Sequence, residues 1–93
     1  MDSAQHAAAR ALEPAAEELP LRLCVERAVG RYLHELGGFY AGDMHRLVME
    51  EVERPLLEGV LAHVGGNQTQ AAEILGINRA TLRKKLRHYQ ISG

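Results

Sequence analysis

The last third of the chain constrains the fold most, because it holds two short helical patterns separated by a tight glycine-containing turn. Asn67 begins the first pattern, since an Asn side chain can accept from the free amides of a helix start, and Gln70 completes a capping-box pattern. Gly76 ends it, because glycine tolerates the left-handed backbone of a helix end. Asn78 is a second N-cap. Helix, glycine turn and helix at this spacing predict a helix-turn-helix.

The second of these helices has one apolar side and one basic side. Its apolar stripe is Leu82, Leu86 and Tyr89, at i, i+4 and i+7. Its polar positions include no acid, and they are Asn78, Arg79, Thr81, Arg83, Lys84, Lys85, Arg87 and His88. A helix that accepts like-charge repulsion in this way suits a polyanion, and Asn and Arg near its start can read base edges in a major groove. The alternative is a basic helix of an interaction domain that does not bind DNA.

The formal net charge of −1 hides an uneven distribution along the chain. Residues 1–64 hold 6 Arg and 11 acids, a net charge of −5. Residues 65–93 hold 5 Lys and Arg against one acid, Glu73, a net charge of +4. A basic end on an acidic body is what electrostatic targeting of that end to a polyanion requires.

The chain divides into three predicted parts. Residues 1–19 are Ala-rich, carry no sustained apolar face and contain Pro14, so we expect a flexible N-terminal arm. Residues 20–64 are predicted to form a helical core, and residues 65–93 form the helix-turn-helix region. A chain of 93 residues allows one small domain, which often gains stability by association with other chains.

The first core helix is predicted to begin at Pro20 and to end at Gly37, with apolar residues at helical spacing between them. Cys24 falls within this pattern, so we expect a buried structural thiol; a single cysteine excludes an intrachain disulfide and suits a reducing cytosol. Phe39 and Tyr40 lie in the loop that follows and are predicted to anchor it on the core.

The second core helix is predicted to run from Met44 to about Val64, with Asp43 as its N-cap. Pro55 removes a helical hydrogen bond and clashes with the preceding turn, so we expect a kink near residues 51–55. The apolar stripe of this helix is Met44, Leu47, Val48, Val52, Leu56, Val60, Leu61 and Val64.

Such a long stripe has more apolar surface than one short helix can cover. A second copy of the chain would cover the remainder, which predicts an intertwined all-α homodimer with a four-helix core and twofold symmetry. Symmetric DNA-binding proteins use such a core to set the distance between two recognition helices. A monomeric four-helix domain is the alternative.

The sequence contains no motif that predicts catalysis. We find no Gly-rich phosphate loop and no nucleophile with a visible base, and we expect neither an enzyme nor a cofactor. The histidines do not form a metal-ligand set with the lone cysteine, so no metal site is predicted. The carboxylates Glu50, Glu51 and Glu53 are interpreted as a solvated helix face. No stretch approaches the roughly 20 apolar residues of a membrane span, and no signal peptide is evident, which predicts a cytoplasmic protein.

The run GNQTQAA followed by GINRATLRKKLRHY strongly resembles the C-terminal half of the Fis family, the bacterial factors for inversion stimulation. Two upstream stretches, PLRLCVERAVGRYL and LVMEEVERPLLEGVL, resemble the family as well, so the likeness covers roughly residues 20–91. The resemblance implies a nucleoid-associated homodimer that binds and bends duplex DNA and acts in transcription regulation and nucleoid organisation. It also implies a proline-kinked long helix.

Family positions carry over onto this sequence residue by residue. The resemblance implies that Asn78, Arg79 and Lys84 face the DNA groove, and that five further residues contact phosphates. These five are Asn67, Thr69, Thr81, Arg83 and Lys85. Gln70 and His88 stand where the family commonly has basic residues.

The sequence leaves open the role of the N-terminal arm and two alternative functions. In the best-known family members the N-terminal region forms β-hairpin arms that touch a DNA invertase, but residues 1–19 lack the alternating pattern of a hairpin. The arm is therefore only a candidate contact for a protein partner. One alternative function is the detached DNA-binding domain of an NtrC-type transcription activator. Another is a helical protein-interaction module that uses its acidic body.

Overall fold

The computed structural model describes residues 18–37 and 42–92, and the regular elements in these ranges are all α helices. They are α1 (Leu21–Leu36), α2 (Met44–His63), α3 (Gln68–Leu75) and α4 (Arg79–Tyr89). The predicted all-α class, with two helices ahead of a helix-turn-helix, is confirmed. The predicted arm lies outside the described residues up to residue 17, and so do Phe39 and Tyr40 of the predicted loop anchor.

Helix α1 belongs to a different compact unit from α2, α3 and α4. The Pro20 carbonyl accepts from the N–H groups of Leu23 and Cys24, at 3.0 and 3.1 Å. Gly37 ends the helix as predicted, with a φ of 58° in the left-handed region. All α1 side chains are at least partly exposed in the described chain, and Cys24 is exposed, so the expectation of a buried thiol is wrong.

Helix α2 is a continuous helix of 20 residues that contains Pro55. The kink predicted near residues 51–55 stays a prediction. Asp43 occupies the N-cap position, but its side chain makes no capping bond. Its Oδ2 instead accepts from the Arg46 guanidinium at 2.7 Å, so the predicted capping role is wrong because a charged partner one turn away holds the carboxylate.

The core of the unit formed by α2, α3 and α4 is small and, apart from Tyr89, aliphatic. All three helices contribute to it, and its buried members are Leu57, Leu61, Ala71, Ala72, Leu82, Leu86 and Tyr89. The predicted stripe of α4 is therefore confirmed in full. The small side chains of Ala71 and Ala72 bring α3 close to its neighbours, and α3 packs against both α2 and α4.

The predicted stripe of α2 is only partly correct. It included Leu56, which is 50% exposed, and it omitted Leu57, which is 2% exposed and lies at the centre of the core. The reason is that α2 has two apolar sides. Leu57 and Leu61, at i and i+4, face the helix-turn-helix, whereas a second side that contains Val52 and Leu56 faces solvent in the described chain.

Candidate nucleic-acid interface

The turn between α2 and α3 and the start of α3 are fixed by backbone bonds and one cap. The N–H of Gly66 donates to the Leu61 carbonyl at 2.9 Å, which closes the end of α2. The Asn67 Oδ1 accepts from the Gln70 N–H at 3.1 Å, so the predicted N-cap is confirmed. In a full capping box the Gln70 side chain would accept from the Asn67 N–H. Here the Asn67 N–H donates to the Val64 carbonyl instead, at 3.2 Å.

The turn between α3 and α4 has the geometry that the sequence predicts. Gly76 adopts a φ of 73°, and apart from Gly76 itself and its two chain neighbours no atom lies within 4 Å of the position that a Cβ would occupy there. Its role is therefore the left-handed backbone and not a close contact. The Ile77 N–H donates to the Ala72 carbonyl at 3.1 Å, and the Asn78 Oδ1 accepts from the N–H groups of Ala80 and Thr81, at 2.7 and 3.4 Å. These bonds hold the start of α4 against the end of α3.

Four cations on α4 are exposed and have no acidic partner. They are Arg79, Arg83, Lys84 and Arg87, and none of them forms an ion pair within residues 42–92, as far as the structure describes them. Successive helical residues are separated by about 100°, so Lys84 and Arg87 lie on the side opposite the buried Leu82–Leu86 stripe. This surface of α4 presents uncompensated positive charge to solvent.

The start of α3 lies beside this basic surface. An open cleft of about 460 Å³ is lined by Gln68, the first residue of α3, together with Arg83 and Arg87 of α4. Thr69 follows in the first turn of α3 and is exposed. The predicted set from sequence omitted Gln68 and Arg87. The signal for Arg87 was available, because it lies four residues after Arg83 and so on the same side of α4.

Lys85 differs from the other cations of α4 because it has an acidic partner. Its Nζ lies 2.8 Å from the Oε2 of Glu53 on α2, and its side chain is half-buried. The predicted phosphate contact of Lys85 stays a prediction. An ammonium group has three N–H donors, so one bond to Glu53 leaves two donors for another acceptor.

Glu53 also accepts a hydrogen bond from Tyr89, whose hydroxyl donates to Oε1 at 2.7 Å. The bonds from Lys85 and Tyr89 hold the pKa of Glu53 below its ordinary value. Burial raises the pKa of Tyr89 to about 12, and the hydrogen bond to Glu53 acts in the same direction. The ionised carboxylate and the neutral phenol therefore stay paired at neutral pH.

Two further contacts join α2 to the end of α4. The Arg54 guanidinium donates to the Tyr89 carbonyl at 2.9 Å and lies 5.2 Å from the centroid of the Tyr89 ring. The Oε2 of Glu50 lies 2.9 Å from the Nε2 of His88. The interpretation of Glu50 and Glu53 as a solvated face is therefore wrong, because both carboxylates contact α4. Their i, i+3 spacing, which gives them a common side of α2, was the available signal.

Metal-binding clusters and membrane-spanning helices are two further features that the described residues lack. They contain no cluster of three or more His, Cys, Asp or Glu side chains with metal-binding geometry. Over the same ranges, none of the helices combines the length and apolarity of a membrane span.

A capped glycine turn, a basic second helix with a free outer surface, and a short first helix beside it define the class of helix-turn-helix proteins. A family profile described as "Bacterial regulatory protein, Fis family" matches residues 48–89. A Fis-like protein of Pseudomonas aeruginosa is 50% identical over 84% of this chain and 75% of its own length. The DNA-binding protein Fis of Aliivibrio fischeri is 50% identical, and that of Glaesserella parasuis is 51% identical, each over 75% of this chain and 71% of the relative. The chain belongs to the Fis family.

Proposed function

We propose that this chain binds and bends duplex DNA, and that it acts by binding and not by catalysis. The observation that carries the proposal is the row of exposed, uncompensated cations on α4 beside the start of α3. Unpaired cations are free to bind phosphates, and each phosphate contact releases counterions from DNA. The relatives named DNA-binding protein Fis support the same conclusion.

The residues of this interface have two proposed roles. Asn78, Arg79 and Lys84 face the groove, where the Arg79 guanidinium can form two bonds to a base edge. The Asn78 Oδ1 caps α4, so its amide N–H groups are the donors left for a base. The phosphate contacts are Asn67, Thr69, Thr81, Arg83 and Lys85, which set the register on the backbone. With so few groove-facing residues, sequence-dependent bending of DNA supplies much of the selectivity.

The active form is proposed to be a homodimer. Met49, Val52 and Leu56 are exposed and recur at i, i+3 and i+7 on one side of α2, away from the side that packs on the helix-turn-helix. Leu21 and Leu33 of α1 are exposed as well. Large apolar side chains on both core helices favour burial against a second copy of the chain, which would place two recognition helices in successive major grooves.

The proposed cellular role is transcription regulation and nucleoid organisation in the bacterial cytoplasm. The family description "bacterial regulatory protein" supports the regulatory part of this role. A protein partner that binds the N-terminal arm is a further part of the proposal. Bending lets a longer stretch of DNA contact the protein without base-specific bonds, which suits a protein that acts at many sites.

The test is a titration of labelled duplex DNA at several salt concentrations. Arg83→Ala is expected to lower the log–log salt slope by about 0.9 per subunit, because one phosphate contact is lost. Arg31→Ala, which removes an exposed cation from α1, is the matched control and is expected to leave the slope unchanged. Absence of any complex at micromolar protein would contradict DNA binding and would favour the interaction-module alternative.

The dimer has a separate test. Sedimentation velocity is expected to give a mass twice that of one chain, and Leu56→Asp is expected to shift the species towards monomer because it places a charge on the apolar side of α2. Glu51→Asp, on an exposed position of the same helix, is the control. A folded wild-type monomer at micromolar concentration would contradict the dimer.

A further inference from the structure

Two kinds of contact set the orientation of α4 on α2. The buried contacts of α4 are made by Leu82, Leu86 and the Tyr89 ring, and α4 also packs on α3. Interdigitating side chains select a class of crossing angle with a scatter of about 15–20°, so apolar packing leaves a range of angles. Directional bonds between α2 and α4 narrow that range.

The structure places such bonds at the second half of α4. Glu53 makes two of them, with one carboxylate oxygen at 2.7 Å from the Tyr89 hydroxyl and the other at 2.8 Å from Lys85 Nζ. Lys85 and Tyr89 are one helical turn apart, so two fixed points define a direction along α4. The Glu53–Lys85 pair is more enclosed than the Glu50–His88 pair, because Lys85 is 35% exposed and His88 is 59% exposed, while the two carboxylates are alike at 29% and 28%.

We propose that Glu53 is a positioning residue for DNA binding, which fixes the angle of the recognition helix on α2 through its bonds to Lys85 and Tyr89. The proposal rests on the proposed function, because α2 carries the dimer surface and α4 carries the DNA surface. In a symmetric dimer the angle between these helices sets the separation of the two recognition helices. Glu53 thereby sets which spacing of half-sites the dimer accepts.

A positioning role predicts that Glu53→Gln weakens DNA binding, whereas simple electrostatics predicts that it strengthens DNA binding. Removing an acid beside a basic helix reduces repulsion of DNA and frees Lys85, and by charge alone Glu53→Gln would bind more tightly. If Glu53 positions α4, a smaller fraction of Glu53→Gln molecules holds α4 in the orientation that binds DNA. The apparent DNA affinity then falls in proportion to that fraction. We expect Glu53→Gln to bind its best duplex about threefold to tenfold more weakly than wild type.

The experiment uses the full chain and a duplex that wild-type protein selects from random sequence. A set of duplexes then lengthens or shortens the half-site separation by one base pair at a time, each step moving one half-site by about 3.4 Å along the helix axis. The positioning role predicts that wild type loses affinity steeply away from the best separation and that Glu53→Gln loses it less steeply. A role in stability alone would lower affinity equally for all separations.

Two further variants complete the design. Glu51→Gln makes the same charge change at an exposed position of α2 that has no bond to α4, and it is expected to match wild type in both readouts. Tyr89→Phe removes one of the two bonds and keeps the ring in the core, so it is expected to flatten the spacing preference in a chain that still folds. Circular dichroism at the assay temperature establishes that each variant is folded.

The outcomes separate this inference from the proposed function. Weaker binding with a flatter spacing preference in Glu53→Gln and Tyr89→Phe supports the positioning role. Binding of Glu53→Gln as tight as that of Glu51→Gln, or weaker binding with an unchanged spacing preference, overturns it. A wild-type protein that binds no duplex overturns the proposed function itself, before any variant is compared.

Discussion

Asn78 has two separable roles, because its side chain caps α4 and also stands at the start of the proposed DNA surface. Its Oδ1 accepts one short bond, at 2.7 Å from the Ala80 N–H, and one long bond, at 3.4 Å from the Thr81 N–H. Only the short bond has strong geometry. Loss of one N-cap bond costs about 1 kcal/mol, so Asn78→Ala is expected to lower the free energy of unfolding by about that amount.

Asn78→Asp separates the two roles. Aspartate caps a helix as well as asparagine and gains about 0.3–1 kcal/mol from the helix dipole, so the stability of this variant is expected to equal or exceed that of wild type. Its carboxylate loses the amide donors and adds a negative charge near phosphates. A lost base contact is worth about 1–3 kcal/mol, so the DNA affinity is expected to fall by roughly tenfold or more.

The assays for Asn78 are urea unfolding and DNA titration at fixed salt. His45→Glu adds a negative charge at an exposed position in the first turn of α2 and serves as the charge control, with an expected DNA affinity near that of wild type. An Asn78→Asp variant as unstable as Asn78→Ala would refute the capping argument. An Asn78→Asp variant that binds DNA like wild type would refute the assignment of this residue to the DNA surface.

Four other changes have expected outcomes. Leu82→Ala removes a side chain that is 1% exposed and is expected to destabilise by about 2–5 kcal/mol in thermal or urea unfolding. Gly76→Ala is expected to cost about 1–2 kcal/mol, because φ is 73° and the added Cβ meets no other atom. Arg79→Ala is expected to lose about 1–3 kcal/mol of DNA binding and the preference for guanine at one position per half-site, measured against guanine-substituted duplexes. The lowered pKa of Glu53 means that its carboxylate stabilises the fold above about pH 4.5 and loses this effect as the pH falls; urea unfolding across that range should show a weaker acid dependence in Glu53→Gln.

The helix-turn-helix could be predicted from sequence because local signals and tertiary packing agree there. Asn67, Gly76 and Asn78 act on backbone groups within a few residues, so their roles depend little on distant parts of the chain. The stripe from Leu82 to Tyr89 has a single periodicity and one side to bury. Each of these predictions is confirmed.

The contacts between α2 and α4 could not be predicted in the same way. Helical periodicity showed that α2 was apolar on one side, but it did not separate the side that buries Leu57 from the side that exposes Leu56. The spacing of Glu50 and Glu53 puts them on a common side of α2, but Glu53 and Lys85 are distant in sequence, so this pattern did not identify the partner on α4. Asp43 failed as a cap for a different and local reason, since its carboxylate binds Arg46, three residues along the chain, instead of the backbone.

The most direct test of the central claim is a map of the DNA surface in solution by backbone amide chemical shifts during titration with duplex DNA. DNA binding through α4 predicts that the largest shifts fall at residues 67–70 and 78–85, and that Ile74, which is 57% exposed near the end of α3, shifts little. Shifts concentrated around Ile74 and Glu73, with residues 78–85 unchanged, would contradict DNA binding through α4.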